Sequence, residues 1–490
     1  MKKIFTVFSA LVVTGSLFAG GLVTNTNVSA LFTRLQSRNA STAVDAVYYN
    51  PAGTTKLADG FHLSLNNQTI GQTQTINTTY PYLSGSPKDY IGKVSAPFYP
   101  GIFAAYKTGK LAFSFGFSPV GGGGGATYDT GLSSFEMQVA DLVPLLIGQL
   151  TPLDAAILAG TGTDPNFNGI TGYNSTIFFE GSSIYFGFQL NAAYEINDML
   201  SIGVGGRYVM AKNTYTGYIE DVTITAPAQY GGVQAPGDYL RTVAGVPGIP
   251  PSTAATLNGT ATVLDDRTTV EADAVLEGNG ITPILSLNFS PMEGMLNIGI
   301  KYEFKTNLEL TTTVNDDKDA EGMFIQDSVA IADIPAMLAV GIDVRPSDRL
   351  LISGSFNYYF DKAVDYDGQS DVDEVRIDNN FIEAALGLQF GINDWLYASA
   401  GWLTTITGVN DLYQSDLKYS LNTNSFGGGL GFKVNDMIDI NLGGSYTIYQ
   451  EGSETYSHNL GGNPLYPAVP VTNVYNKETW VAAIGVDLHF

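Results

Sequence analysis

The sequence contains no cysteine, which excludes a disulfide framework, a thiolate metal site and a cysteine nucleophile. Charge is also scarce. Only 14% of residues are Asp, Glu, Lys or Arg, against about 25% in soluble domains. Most of it is negative, 47 acidic against 23 basic residues for a formal charge of −24, and a nucleic-acid partner would need the opposite balance. The three histidines, His62, His458 and His489, have no serine or aspartate at a spacing that suggests a catalytic pair. No enzymatic activity and no cofactor are therefore expected. Beyond the first twenty positions no 18 consecutive residues are apolar, so a helical membrane span is not expected. The acidic run from Asp365 to Glu374 lacks the spacing of a calcium loop and reads as a solvated loop.

What is abundant is alternation. In the last eleven residues, Trp480, Ala482, Ile484, Val486, Leu488 and Phe490 share one face of an extended strand. Val481, Ala483, Gly485, Asp487 and His489 share the other. Leu200, Ile202, Val204, Gly206, Tyr208 and Met210 alternate in the same way, as do Leu350 to Phe360 and Ile438 to Tyr446. Alternation by itself fits either a soluble sandwich or a membrane barrel. Three further features favour the barrel: a secretory leader, aromatic residues near strand ends and a terminal Phe490. The leader has Lys2 and Lys3 before an apolar core from Ile4 to Phe18, and cleavage after Ala19 is preferred to a competing site after Ala30.

The strand count comes from repeated turns. Asn197-Asp198, Asn393-Asp394 and Asn435-Asp436 each sit between alternating segments. Ser290 to Gly294, Pro346 to Asp348 and Thr108-Gly109 occupy equivalent places. Six short turns join twelve strands. A first strand near 61–73 and a last near 476–490 make fourteen, an even number that returns both ends to the same side. The expectation is an all-β fold: a 14-stranded antiparallel transmembrane β-barrel, residues 59–490, preceded by a leader at 1–19 and a non-strand segment at 20–58.

That segment closes on Asn50-Pro51-Ala52-Gly53. With a mature start of Gly-Gly-Leu-Val and Ala43-Val44-Asp45-Ala46 before the motif, it is similar to the FadL-type outer-membrane transporters of long-chain fatty acids and hydrocarbons. Ile334-Pro335-Ala336-Met337, opening the eighth strand, resembles the family's Leu-Pro-containing start there. The resemblance implies that residues 20–58 form a plug inside the lumen, with Leu22, Val23, Phe32 and Leu35 as its apolar lining residues. It also implies a kinked third strand opening sideways to lipid, for which Gly116 and Pro119 are the candidates. The plainer reading of Ser118-Pro119-Val120 and Gly121–Gly125 is a flexible loop start.

The long connections fall at roughly 119–175, 217–270, 312–332, 361–379, 407–417 and 449–475, with 74–97 after the first strand, on the outer side. The first carries the only clear helices. Ser133 and Glu136 suggest a capping box, and Phe135, Val139, Leu142 and Leu146 form one apolar stripe. Pro144 should kink that helix, and Thr151-Pro152 should start a second one. The stripe either packs the helices together over the barrel mouth or catches a greasy ligand; the sequence leaves both open. Inward charges such as Arg207, Lys301, Glu303, Asp343, Arg345 and Glu383 are expected to pair with one another and with Arg34, Arg38 and Asp45. Alternatively, Arg207 or Lys301 receives a ligand carboxylate.

The functional expectation is passive transport of hydrophobic small molecules across the bacterial outer membrane by a monomer contacting only ligand and membrane lipid. A porin for polar solutes and an adhesive surface barrel are the alternatives.

Overall fold

The computed structural model describes residues 24–265, 268–317, 324–364, 376–464 and 466–490. The leader, Leu22, Val23 and the acidic run at 365–374 lie outside the described residues. The described chain is a closed antiparallel barrel of fourteen strands. The strands are β1 (Gly60–Thr79), β2 (Lys88–Thr108), β3 (Leu111–Tyr128), β4 (Gly172–Asn197), β5 (Leu200–Thr225) and β6 (Val270–Phe289). β7 comes in two pieces, Leu296–Glu303 and Glu309–Asp317, as does β8, Val329–Ile331 and Met337–Ser347. β9 (Leu350–Tyr359), β10 (Ile382–Gly391), β11 (Leu396–Ile406), β12 (Thr423–Asn435), β13 (Ile438–Tyr449) and β14 (Ala468–His489) complete the wall. Above β13, Gly452–Asn459 continues the pairing on β14. The ring closes where β1 meets β14, from His62 opposite His489 to Thr79 opposite Thr472, without a register shift.

Burial decides between sandwich and barrel. Leu190, Val204, Ile281, Leu386, Leu388, Phe426 and Ile484 are exposed, while Ser64, Gln68, Asn191, Ser201, Asn288, Ser353 and Thr479 are buried. A water-soluble sandwich would do the reverse. A wall that is apolar outside and polar inside is stable only with lipid around it. Closure is the matching backbone requirement, because an open edge in lipid would leave N–H and C=O groups unpaired. Exposed aromatic side chains (Phe61, Tyr194, Phe289, Phe390, Trp395, Phe490) cluster at the short-turn end, where a membrane interface favours amphipathic rings.

The short turns form as their residues dictate. Asn197 Oδ1 accepts from the Met199 and Leu200 amides at 3.0 and 2.9 Å, and Asn393 does the same for Trp395 and Leu396. Asn435 accepts from Met437 at 2.8 Å. One side-chain oxygen thus holds each reversal.

Residues 24–58 do not join the wall. They form α1 (Ala30–Arg34), α2 (Ala46–Tyr49) and a 3-10 turn (Pro51–Lys56), nearly all buried inside the barrel. They constitute a plug.

The outer side differs from expectation in three ways. Helices are not confined to one loop: α3 (Ser133–Ala140) and α4 (Leu142–Thr161) follow β3, and α5 (Pro236–Ala244) and α6 (Pro251–Asp265) follow β5. Small, threonine-rich α6 gave no clear apolar stripe to read. Pro144 kinks nothing, because it lies in the first turn of α4, where the missing N–H is not needed. The break falls instead at Asp141, and α4 runs through Pro152, where Gly148 is exposed and its carbonyl can meet water. The capping box does not form either. Ser134 N donates to Asp416 Oδ2 at 2.7 Å, from the 407–422 loop, and Glu136 accepts instead from Lys88, Tyr90 and Tyr173. An 18-residue window within Ser133–Thr161 has a mean hydropathy of 1.7, high enough for a membrane helix, yet the helices pack over the barrel mouth.

Candidate functional site

The plug is fastened to the wall by the motif that closes it. Asn50 Nδ2 donates to Ser41 O at 3.0 Å and to Asn288 Oδ1 of β6 at 2.7 Å. The Ala52 amide donates to Ser286 Oγ at 2.9 Å. Pro51 opens the 3-10 turn, where a fixed φ suits the first position. A Cβ on Gly53 would come within 2.5 Å of Ser41 O, so only glycine fits. Below, Lys56 Nζ reaches Glu195 Oε1 at 2.8 Å and Asp198 O at 2.7 Å. The four-residue motif is a staple between plug and barrel.

Much of the charge inside the lumen is paired, whereas the buried Glu383 has neutral partners, Asn357 Nδ2 at 2.8 Å and the Tyr359 hydroxyl at 2.6 Å. Arg207 makes a bidentate contact with Glu303 at 2.8 and 2.7 Å, and Lys301 Nζ lies 2.6 Å from the same carboxylate. Both cations also stand over the ring of Tyr48, at 4.8 and 4.6 Å from its centroid, and Lys301 donates to Tyr48 O at 2.9 Å. Within the plug Arg38 and Asp45 form a second bidentate pair at 2.8 and 2.7 Å. Arg34 spreads its donors over Asn441, Gln389 and Ser399. Arg345, expected inside, is exposed, within the register shift between Val344 and Ser347 of β8. Low dielectric makes an unpaired charge costly, so these contacts hold plug and wall together.

The wall itself is interrupted. β2 and β3 pair from Gly92–Tyr128 to Val94–Ala126 and again from Ile102–Phe117 downward, with no pairs between. On the far side of the gap, β3 shifts register against β4 between Pro119 and Gly121 and again between Gly121 and Gly124. On the near side, Pro97 and Phe98 bulge out of the β1–β2 ladder, and Phe98 is 82% exposed. Pro119 therefore sits at the lip of the opening. Gly116 lies below it in an intact ladder, opposite Phe103, where its missing Cβ leaves room for Val47 of the plug.

The leading residues of the plug fill the gap from inside. Thr24 bridges to Gly121, and the Asn25 amide donates to Val120 O at 2.8 Å. Asn25 Nδ2 donates to the Tyr99 hydroxyl, which donates in turn to Pro119 O at 3.2 Å. Gly101 is pressed so close to Val28 O that a Cβ would lie 2.3 Å from it. Tyr99 falls between Pro97 and Pro100, while Asn25 carries no sequence signal of its own.

The remaining residues singled out in the sequence separate into distinct places. Phe32 stacks on Tyr49 at 5.6 Å. Leu35 packs onto the wall at Gly387, where a Cβ would be 2.6 Å from Leu35 Cδ1. Phe135 and Val139 join the core cluster of the barrel, with Leu142 packed against it. Leu146 belongs to a second cluster with Leu150, Phe167, Tyr239, Leu240 and Leu257, formed by α4, α5 and α6. The stripe divides because the helix breaks at Asp141. Phe135 also lines a narrow apolar crevice with Phe179, Tyr215, Ile219, Ala272 and Phe324.

Asp141 and Asp416 tie this outer structure down. Asp141 accepts from the Gly461 amide at 2.7 Å and from Tyr80, and His458 Nε2 stands 2.7 Å from it. Burial pushes the Asp416 carboxyl above the ordinary aspartate range, against which its bonds from Ser133 and Ser134 act. Among the described residues no three His, Asp or Glu side chains converge to hold a metal ion.

Neither a family model nor a curated protein matches the sequence. Solved structures do resemble the fold. A FadL homologue from Pseudomonas aeruginosa superposes with a TM-score of 0.62 at 13% identity, over 97% of this chain and 100% of that one. The Pseudomonas putida toluene transporter TodX gives 0.54 at 13%, over 97% and 100%. The Ralstonia pickettii toluene transporter TbuX gives 0.51 at 16%, over 95% and 99%. At such identities the likeness is one of architecture: this chain shares the fold of those proteins.

Proposed function

We propose that this protein is an outer-membrane channel for hydrophobic small molecules, such as long-chain fatty acids or hydrocarbons. Ligand enters from the outer side through the helical lid and passes through the lumen. It leaves through the β2–β3 opening when the leading residues of the plug withdraw. The observation that carries this reading is the gap in the wall stoppered by residues 24–28. A permanent wall defect would expose unpaired backbone to lipid at several kcal/mol per group; here movable plug residues supply partners. The apolar stripe at Phe135 and Val139 and the crevice beside it fit a first landing place for an apolar ligand. The saturated charges beneath argue against a wide polar pore, which would leave them in water. Net transfer runs down the ligand's gradient, and burying apolar area favours its entry by about 25 cal/mol per Å².

The chain has no cysteine, so a test can be built cleanly. Thr24→Cys with Gly121→Cys joins the bridged pair of plug and β3. In proteoliposomes the oxidised double variant should take up labelled oleate at least about tenfold more slowly than the reduced one, a barrier change of about 1.4 kcal/mol. Equal rates in both states would remove the plug's leading residues from the path. High steady ion conductance in planar bilayers would favour a polar-solute porin instead.

A further inference from the structure

Every lumenal cation described above is neutralised by an acid or surrounded by acceptors, with one exception. Lys477 of β14 faces inward, two residues above Thr479 on the same face, and is 4% exposed. Its Nζ has a single hydrogen-bond acceptor, the carbonyl of Tyr419 at 3.2 Å, and lies 4.0 Å from the centroid of the Tyr419 ring. No carboxylate among the described residues comes within salt-bridge distance of it. The surroundings are aromatic and amide-bearing. Tyr475 stacks on Tyr419 at 4.7 Å, and Gln74 stands opposite Lys477 on β1, with its Oε1 bonded by Tyr128 at 2.8 Å.

An ammonium has three donors and a full charge. One neutral carbonyl and one aromatic face leave most of its lost hydration uncompensated. The acceptor it does have belongs to the 407–422 loop rather than the wall, so it can be exchanged without disturbing the barrel. A carboxylate is the stronger partner, since hydrogen bonds between charged groups are shorter and about twice as strong as neutral ones. Meanwhile Arg207 and Lys301, the cations the sequence suggested for this task, are both occupied by Glu303.

We propose that Lys477 is the receptor for the ionised carboxylate of an amphiphilic ligand, displacing the Tyr419 carbonyl, while the tail runs along the tyrosines beside it. The inference rests on the transport reading above and adds a substrate class to it: carboxylate-bearing amphiphiles in preference to neutral hydrocarbons or alcohols.

Binding of dodecanoate and dodecanol to the full-length barrel, measured by calorimetry in one fixed detergent, tests it. Lys477→Met should weaken dodecanoate binding about tenfold to a hundredfold, the worth of a charged hydrogen bond, and leave dodecanol binding unchanged. Lys477→Arg should stay close to wild type. Should the Met variant fail to give a heat-modifiable folded band, Lys477→Gln takes its place. Equal dodecanoate affinity in wild type and the neutral variant overturns the assignment. A wild type that binds dodecanol without preferring dodecanoate overturns it too, and leaves the transport reading standing. A wild type that binds neither overturns both.

Discussion

Two seams of this barrel are held in opposite ways. Where β1 meets β14, the ladder runs unbroken from one end to the other. Where β2 meets β3, it stops for about a third of its length, between Val94 and Ile102. The first seam is the one that closes the ring, and its backbone groups pair with one another throughout. The second has a substitute, since Asn25 and Thr24 of the plug bond to Val120 and Gly121 from inside. A wall in lipid can be incomplete only where another piece of the protein satisfies it. One seam is complete in its own strands, and the other is completed by the plug.

The largest expected effect comes from spoiling the permanent seam. Val486 pairs with Leu65 of β1 and with Ile440 of β13. Proline there removes a ladder donor and clashes with its neighbours, at about 3 kcal/mol or more. Val486→Pro should abolish the heat-modifiable folded band on gels. Phe98→Ala, on the bulge beside the broken seam, should leave that band intact, because surface changes of this kind stay within about 0.5 kcal/mol. If both variants fold equally well, the two seams do not differ in the way argued.

On the gating proposed above, the plug would move at one edge without leaving, which requires a firmly held base. Its base is held by the Arg207–Glu303–Lys301 cluster around Tyr48 and by the Asn50 staple, whereas residues 24–28 carry no charge and are held by neutral hydrogen bonds. Glu303→Ala would leave two cations buried without an acid, at a cost of about 3–5 kcal/mol. The expected result is a lower urea midpoint with unchanged strand content by circular dichroism, together with ion conductance that wild type lacks. A Thr24→Ala variant should change neither measurement. An unchanged midpoint in Glu303→Ala would mean that the cluster does not secure the plug.

Much of this architecture was legible because it rests on local chemistry. The turns at Asn197, Asn393 and Asn435 form where an Asn side chain can bond its own backbone, and the alternation of β14 continues upward to Tyr475 and Lys477. Lys477 could have been found by extending that pattern above Trp480; what could not be read was its lack of an acidic partner, which depends on a loop sixty residues away in sequence. The fastening role of Asn50-Pro51-Ala52-Gly53 depends likewise on Ser286 and Asn288, far along the chain. α3 takes its cap from Asp416 instead of its own Ser133, because a buried carboxylate from another loop reaches the free amide of Ser134. The helix breaks at Asp141 instead of Pro144 because three groups from other loops converge on that carboxylate. Sequence periodicity reports neighbours three or four residues apart, and each of these features is set by a distant one.

The smallest effect distinguishes the pairing of the 452–459 extension, on the other edge of β14, from the lower part of the permanent seam. Glu454, on the extension above β13, accepts from the Tyr475 hydroxyl at 3.0 Å. Burial pushes its carboxyl up to about 7, with the negative fields of Asp416 and Asp411 adding to the rise and the bonds from Tyr475 and Asn473 opposing it. A carboxyl raised by folding contributes stability that is complete below its unfolded value, about 4.3. That contribution declines as pH rises and is lost above about 7, because the charged form is the one the fold disfavours. The extension at 452–459 should therefore exchange its amide hydrogens faster at pH 8 than at pH 5, after correction for intrinsic rates, while the ladder between His62 and Gly71 keeps its protection. Glu454→Gln, which cannot ionise, should show the same protection at both pH values. A variant whose pH response matches wild type would place the titrating group elsewhere, with Asp416, buried at the cap of α3, the next to replace.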